Sequence, residues 1–84
     1  MLKIFYFAHL REQVGRECDD LALPDGVVNV AELIEFLKNA DPAVNHIFES
    51  TPKILVAINQ VVVSRDSKVT KNDEIAFFPP MTGG

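Results

Sequence analysis

The final segment of the sequence, Pro79-Pro80-Met81-Thr82-Gly83-Gly84, holds the residues best suited to chemistry. Two prolines favour an extended stem, and two glycines, which have no Cβ, make the end thin enough to enter a narrow channel. Fully extended, the segment would reach roughly 20 Å. We therefore predict a flexible tail over residues 79–84 that carries the α-carboxylate of Gly84 away from a domain formed by residues 1–78.

The Gly84 carboxylate would need activation before it could react. A terminal carboxyl group has a pKa of about 3.3–3.7, so it is ionised near neutral pH and is a poor electrophile. Adenylation by a partner enzyme that uses ATP would allow a sulfur or amine nucleophile to displace AMP. A Gly-Gly end is equally compatible with a chain that stops in two unstructured glycines, and on the dipeptide alone both readings stay open.

The rest of the sequence gives no sign of a catalytic centre. It has no nucleophile beside a base, no glycine-rich phosphate loop and no cluster with metal-ligand spacing, since His9 and His46 lie apart and have no cysteine or carboxylate partners at suitable positions. We expect no metal and no bound cofactor. Catalytic groups would then belong to partner proteins.

Composition and charge restrict the class of protein. The 84 residues suffice for one small domain, and the formal net charge of −4 argues against a nucleic-acid surface, which needs clustered Lys and Arg. The single cysteine, Cys18, suits a reducing compartment. Apolar runs such as residues 54–58 are far shorter than the roughly 20 residues of a membrane span. We expect a cytoplasmic protein without membrane contact.

The first part of the chain predicts two paired strands. Residues 3–7 are rich in aromatic and β-branched side chains, and a partner strand is predicted over residues 17–23, forming a hairpin with the first. Cys18 would be a half-buried residue of that second strand. Alternation along the first strand sorts its side chains onto two faces: Leu2, Ile4 and Tyr6 on one, Lys3, Phe5 and Phe7 on the other.

Helical periodicity dominates the middle of the chain. Apolar residues recur at i, i+3, i+4 and i+7 from Val30, which predicts a helix over residues 30–39. Asn29 can cap this helix, and Glu32 can return a hydrogen bond to the cap backbone. Asp41-Pro42 is typical of the start of a second, shorter helical segment.

The last third predicts three strands. Residues 54–58 and 61–63 would form a hairpin across Asn59-Gln60, because Asn tolerates a left-handed backbone. A final strand over residues 74–78 must stop at Pro79-Pro80, which cannot donate ladder bonds. The order of elements predicts an α+β domain in which one helix covers one face of a sheet.

Residues 73–84 closely resemble the C-terminus of the small subunits of molybdopterin synthases. The resemblance continues in the same order through residues 7–12 (FAHLRE) and 57–60 (AINQ), and so covers most of the chain. It implies a ubiquitin-like β-grasp fold: a mixed sheet of four to five strands packed on one main helix plus a short helical segment.

The resemblance also implies a function. Gly84 would be adenylated by a ubiquitin-activating-like enzyme, converted to a thiocarboxylate and inserted into the large synthase subunit, where its sulfur passes to a pyranopterin precursor of the molybdenum cofactor. This chain would be the non-catalytic, sulfur-donating subunit. Thiazole-synthesis carriers and ubiquitin-like protein modifiers share the fold and the Gly-Gly end, and they are the alternatives.

Five residues are predicted to contact these partners. Phe5, Phe7 and Phe78 have the strand parity of a shared outward face, which favours a partner-binding patch; the alternative is that the rings cover one another or lie under a loop. Val62 joins the set by resemblance to the family's interface. Arg11 could pair with a partner carboxylate, but it could also be a solvated charge.

Overall fold

The computed structural model describes residues 1–80, which form one mixed sheet and three helices. The elements in chain order are β1 (Leu2–Tyr6), α1 (His9–Val14), β2 (Cys18–Leu21), α2 (Val30–Ala40), α3 (Pro42–Ser50), β3 (Leu55–Ile58), β4 (Val61–Val63) and β5 (Glu74–Phe78). The sheet order is β2-β1-β5-β3-β4, with β1 and β5 parallel and the other pairs antiparallel. The α+β class and all five predicted strands are confirmed.

The core lies between one face of this sheet and the helices. Alternation along β1 buries Leu2, Ile4 and Tyr6 as predicted, and Ile75 and Phe77 of β5 lie beside them with no exposed surface. The helices supply the opposing layer with Val30, Leu33, Ile34, Leu37, Val44 and Ile47. We call the covered side of the sheet the inner face and the opposite side the outer face.

Side-chain caps set the starts of α2 and α3. The Asn29 side chain accepts a hydrogen bond from the Glu32 N–H, and Asp41 accepts one from the Ala43 N–H with Pro42 in the first turn, as the sequence predicted. The predicted return bond is wrong by one residue: Glu32 Oε1 accepts from the backbone N–H of Val28, at 2.8 Å, and not from that of Asn29. Helix α2 ends at Ala40, one residue later than predicted.

Helix α1 is a feature that the sequence did not predict. β1 and β2 do pair antiparallel, but this six-residue helix connects them where a simple hairpin was expected, and β2 is shorter than the predicted 17–23. Only Leu10 and Val14 of this six-residue helix are buried. Two buried positions are too few to show a helical period in the sequence. Gly15 ends it in a left-handed conformation, with its N–H donating to the Arg11 carbonyl at 2.9 Å.

The hairpin between β3 and β4 follows the prediction. Ile58 pairs with Val61, and the two residues between them, Asn59 and Gln60, both have positive φ, as a two-residue primed turn requires. No helix within the described range is long and apolar enough to cross a bilayer. Four residues of the predicted tail, Met81, Thr82, Gly83 and Gly84, lie outside the described residues.

Candidate functional site

The outer face carries one straight row of side chains across all five strands. Strand register places each member directly beside the next, about 4.8 Å apart. The row runs, from β2 to β4, through Cys18, Phe5, Ala76, Ala57 and Val62. We call it the middle row. Cys18 is exposed, so the prediction that it is half-buried is wrong, because β2 is an edge strand whose outer face has no covering layer.

A second apolar row lies one step closer to the end of β5. Extending the β1–β5 register by one residue sets Phe7 beside Phe78, which in turn pairs with Leu55 of β3. Phe5 and Phe7 stack with ring centroids 6.4 Å apart. Phe7 is nevertheless 47% exposed, so the rings do not bury one another completely. We call Phe7, Phe78 and Leu55 the end row.

The opposite end of the outer face is charged. Lys3, Asp20 and Glu74 lie in register one step beyond the middle row, and the Lys3 ammonium group lies 3.2 Å from an Asp20 carboxylate oxygen. Both side chains of that pair are about 60% exposed, so its effect on stability is small. The outer face is therefore polar at one end and apolar at the other.

The structure brings four of the five predicted contact residues onto this face. Phe5 and Val62 lie in the middle row, about 14 Å apart across three strand spacings, and Phe7 and Phe78 lie in the end row. Arg11 does not join them. It is exposed on α1, which packs against α3 in the helical layer.

Three residues of the apolar surface were missed by sequence reasoning. Leu55, Ala57 and Ala76 lie between the aromatic rings and Val62, and Ala57 is itself buried by its neighbours. Residues 54–58 are all apolar, so alternation cannot tell which of them face outward. The pairing with β5 decides which residues of β3 face outward, because Ala57 lies opposite Ala76.

The tail begins beside the end row. β5 ends at Phe78, and Pro79 and Pro80 follow without strand pairing, both half-buried. The chain therefore leaves the sheet next to Phe7, Phe78 and Leu55, at the apolar end of the outer face. A protein that received the tail at this point would also meet these side chains.

Comparison with known proteins then places the chain. The ThiS family model matches residues 4–84. The chain belongs to the ThiS family.

Relatives of this ThiS-family chain match it over its whole length. It is 37% identical to the molybdopterin synthase sulfur carrier subunit of Escherichia coli, and the match covers 100% of both chains. It is 39% identical to the protein of the same name from Haemophilus influenzae, again over 100% of both chains. The resemblance drawn from residues 73–84 is thereby confirmed.

Solved structures give the fold of this ThiS-family chain. The small archaeal modifier protein SAMP1 from Haloferax volcanii is similar with a TM-score of 0.78 and 27% identity, over 99% of this chain and 98% of that one. A putative molybdopterin converting factor subunit 1 from Pyrococcus furiosus has a TM-score of 0.77 and 27% identity, over 95% and 97% of the two chains. The predicted ubiquitin-like β-grasp fold is confirmed, with α1 as an addition to the predicted helices.

The ThiS-family domain also has a polar cluster on its helical side. The Tyr6 hydroxyl donates to Asp19 at 2.9 Å, and the Arg16 guanidinium donates to Asp19 at 2.6 Å and to Asp41 at 2.5 Å. The cluster lines an open cleft of 240 Å³ whose other walls come from β1, β2, α2 and α3. It lies on the inner side of the sheet, away from the outer face.

Electrostatics within this cluster favour a structural role. The hydrogen bond from Arg16 is the main cause that lowers the pKa of both Asp19 and Asp41 below the usual value. Burial, followed by the hydrogen bond to Asp19, raises the pKa of Tyr6. Each group is thus held in its ordinary charge state at neutral pH, which suits a fixed network better than proton transfer. Among residues 1–80 no group of three or more His, Cys, Asp or Glu side chains is placed to hold a metal ion.

Proposed function

We propose that this chain is the sulfur carrier subunit of a molybdopterin synthase. The proposal is carried by the sequence identity of 37% and 39% to proteins of that name, over the full length of both chains in each case. The position of the tail supports it, because Pro79 leaves the sheet beside the apolar end row and so allows one partner to hold the outer face and receive the tail together.

In the proposed cycle the chain supplies a reactive terminus and no catalytic side chain. An activating partner uses ATP to adenylate the Gly84 carboxylate, releasing pyrophosphate. A sulfur donor then displaces AMP, so one carboxylate oxygen leaves with AMP and sulfur takes its place as a thiocarboxylate. The large synthase subunit accepts the charged tail and transfers the sulfur to the pyranopterin precursor. ATP is bound by the activating enzyme and not by this chain, and the cycle takes place in the cytoplasm.

The roles of the individual residues follow from their positions. Gly84 carries the sulfur, and Pro79, Pro80, Met81, Thr82 and Gly83 form the arm behind it. Phe5, Phe7, Phe78 and Val62 form the docking surface for both partners, together with Leu55 and Ala76 between them. Arg11 is a separate contact outside that surface.

Intact-protein mass spectrometry tests the proposal. The chain is purified from cells that make molybdenum cofactor, alongside a variant lacking Gly84. Replacement of oxygen by sulfur adds roughly 16 mass units, and this shift should occur only when Gly84 is present. A chain that keeps the mass of the free acid, even with the activating enzyme, ATP and a sulfur donor supplied, would contradict it.

Two alternatives also use the Gly84 carboxylate. The similarity to SAMP1, with a TM-score of 0.78, favours a protein modifier as the second candidate. A modifier would form an amide between Gly84 and a lysine of a target protein, which peptide mass spectrometry of cell extract would detect. A carrier for thiazole synthesis would form the same thiocarboxylate and differs only in its acceptor, so a sulfur-transfer assay with each acceptor separates it.

A further inference from the structure

The two prolines after β5 face different neighbours. Within a strand, successive residues direct their backbone N–H and C=O groups to opposite sides. The carbonyl groups of Asp73 and Phe77 accept hydrogen bonds from Lys3 and Phe7 of the β1 segment, each at 3.1 Å, whereas that of Glu74 accepts from Asn59 at the β3 side, at 2.8 Å. Odd-numbered residues of β5 thus bond toward β1 and even-numbered residues toward β3.

This alternation assigns a separate position to each proline. Residue 79 would donate toward β1, where the parallel register aims it at the carbonyl of Phe7. Residue 80 would donate toward β3, where the antiparallel register aims it at Lys53. Neither can donate, because proline has no N–H. Pro79 therefore removes the next hydrogen bond toward β1, and Pro80 removes the next one toward β3.

The segments of the chain on both sides of β5 also turn away beside the two prolines. Ala8, which lies in register with Pro79, has φ 55°, and Lys53, which lies in register with Pro80, has φ 60°. A positive φ is unfavourable for residues other than glycine, so local backbone preference alone would produce neither turn. The Phe7 carbonyl, which no residue-79 donor can reach, instead accepts a hydrogen bond from the Leu10 N–H at 3.2 Å.

We propose that Pro79 and Pro80 are positioning residues that keep β5 from lengthening toward Gly84, Pro79 on the β1 side and Pro80 on the β3 side. A strand that gained these bonds would hold part of the tail against its own sheet. Partners would then have to detach the tail before binding it. The effect on partner binding rests on the proposed function, whereas the effect on β5 pairing does not.

Hydrogen–deuterium exchange measured by NMR tests the pairing in Pro79→Ala, Pro80→Ala and the double variant. In Pro79→Ala the new amide of residue 79 should exchange at least about tenfold more slowly than in an unstructured peptide, because the Phe7 carbonyl lies in register with it and has a second lone pair beside the bond from Leu10. In Pro80→Ala the protection of residue 80 should be smaller, because Lys53 would have to leave its left-handed conformation. Exchange of the residue-79 amide at the unstructured rate overturns the inference.

Steady-state kinetics with the activating enzyme tests the consequence. An amide protected tenfold is open about a tenth of the time, and a binding-competent fraction of a tenth raises the apparent KM by about the same factor while kcat is unchanged. The KM of Pro79→Ala should therefore rise in proportion to its measured protection. Protection without a change in KM overturns the positioning role. A chain that is never activated contradicts the proposed function but leaves the exchange result standing.

A matched control separates the missing donor from the proline ring. The chain of 84 residues can be made by chemical synthesis and joined at Cys18, its single cysteine. N-methylalanine at position 79 lacks the N–H, as proline does, but has no ring. It should restore the natural KM. A KM that stays as high as that of Pro79→Ala would assign the effect to the ring and overturn the donor argument.

Discussion

Arg16 and Asp41 lie 25 positions apart in the sequence, and a hydrogen bond of 2.5 Å joins the Nη2 atom of the first to the Oδ2 atom of the second. The same guanidinium donates through Nε to Asp19 of β2 at 2.6 Å. Asp41 is also the N-cap of α3. A single side chain thus connects an edge strand to the junction of the two longer helices.

Replacing this side chain should lower stability moderately. The side chains of Arg16, Asp19 and Asp41 are each about a third exposed, so solvent screens their interactions. We expect Arg16→Met to reduce the free energy of unfolding by about 1–2 kcal/mol, measured by urea denaturation. Lys38→Met is the control, because its 3.3 Å pair with Glu35 lies within one helix and should contribute less than about 0.5 kcal/mol. Equal losses in the two variants would contradict the connecting role of Arg16.

The same cluster should make the free energy of unfolding depend on pH in acid. The folded-state pKa values of Asp19 and Asp41 lie below the ordinary value of 3.8, so in acid the unfolded chain binds more protons than the folded one. Their contribution is therefore present above about pH 4 and is lost as the pH falls through the lowered pKa values. Urea denaturation at several pH values should give an acid loss that is smaller in Arg16→Met. An identical acid loss in both proteins would exclude Arg16 as its cause.

The turn between β3 and β4 offers a stabilising substitution. Gln60 has φ 71°, which glycine adopts without strain, so Gln60→Gly should raise the free energy of unfolding by about 0.5–1 kcal/mol. Asn59→Gly is the matched control. Asn59 also has positive φ, but its side chain bonds to Asp73 and to the Glu74 N–H, each at 3.0 Å, so its loss should destabilise. Thermal or urea unfolding would decide, and destabilisation by Gln60→Gly would count against the turn assignment.

Truncation of the end row should affect binding more than folding. Phe7 is 47% exposed, so Phe7→Ala should lower the free energy of unfolding by no more than about 1–1.5 kcal/mol. We expect it to weaken the complexes with both the large subunit and the activating enzyme by about 30-fold, as loss of an aromatic anchor does. Calorimetric titration against each partner measures this, and Phe78→Ala should act in the same direction. Phe36→Ala is the control, since Phe36 is 37% exposed on the helical side. Full affinity of Phe7→Ala, or equal weakening by Phe36→Ala, would contradict the assigned surface.

Local chemistry made much of the fold predictable. Pro79 and Pro80 marked the end of β5, and Asn29 and Asp41 marked the starts of α2 and α3, because each of these side chains has a defined effect on backbone hydrogen bonds. Helix α1 could not be predicted in this way. It is stabilised by packing of Leu10 and Val14 into a core formed by distant segments, and six residues hold too few apolar positions to show a period.

The candidate site was predictable only in part. The sequence of β1 alone predicted that Phe5 and Phe7 share a face with Lys3, because Lys3 marks the exposed side of an alternating strand. Leu55, Ala57 and Ala76 join them only through the register of β3 and β5, which depends on a strand order that no local pattern contains. Arg11 was expected near the same partners, but its place on α1 depends on a helix that was not foreseen.

The outer face has one apolar end, and the tail leaves the sheet at that end only. Two proteins that both bind the end row cannot do so at once, so under the proposed function the activating enzyme and the sulfur-accepting subunit would have to take turns. The carrier would have to dissociate completely between charging and delivery. An affinity too high for either partner would then slow the whole cycle, and the dissociation rates, more than the strength of either complex, would set how many sulfur atoms one chain delivers per unit time.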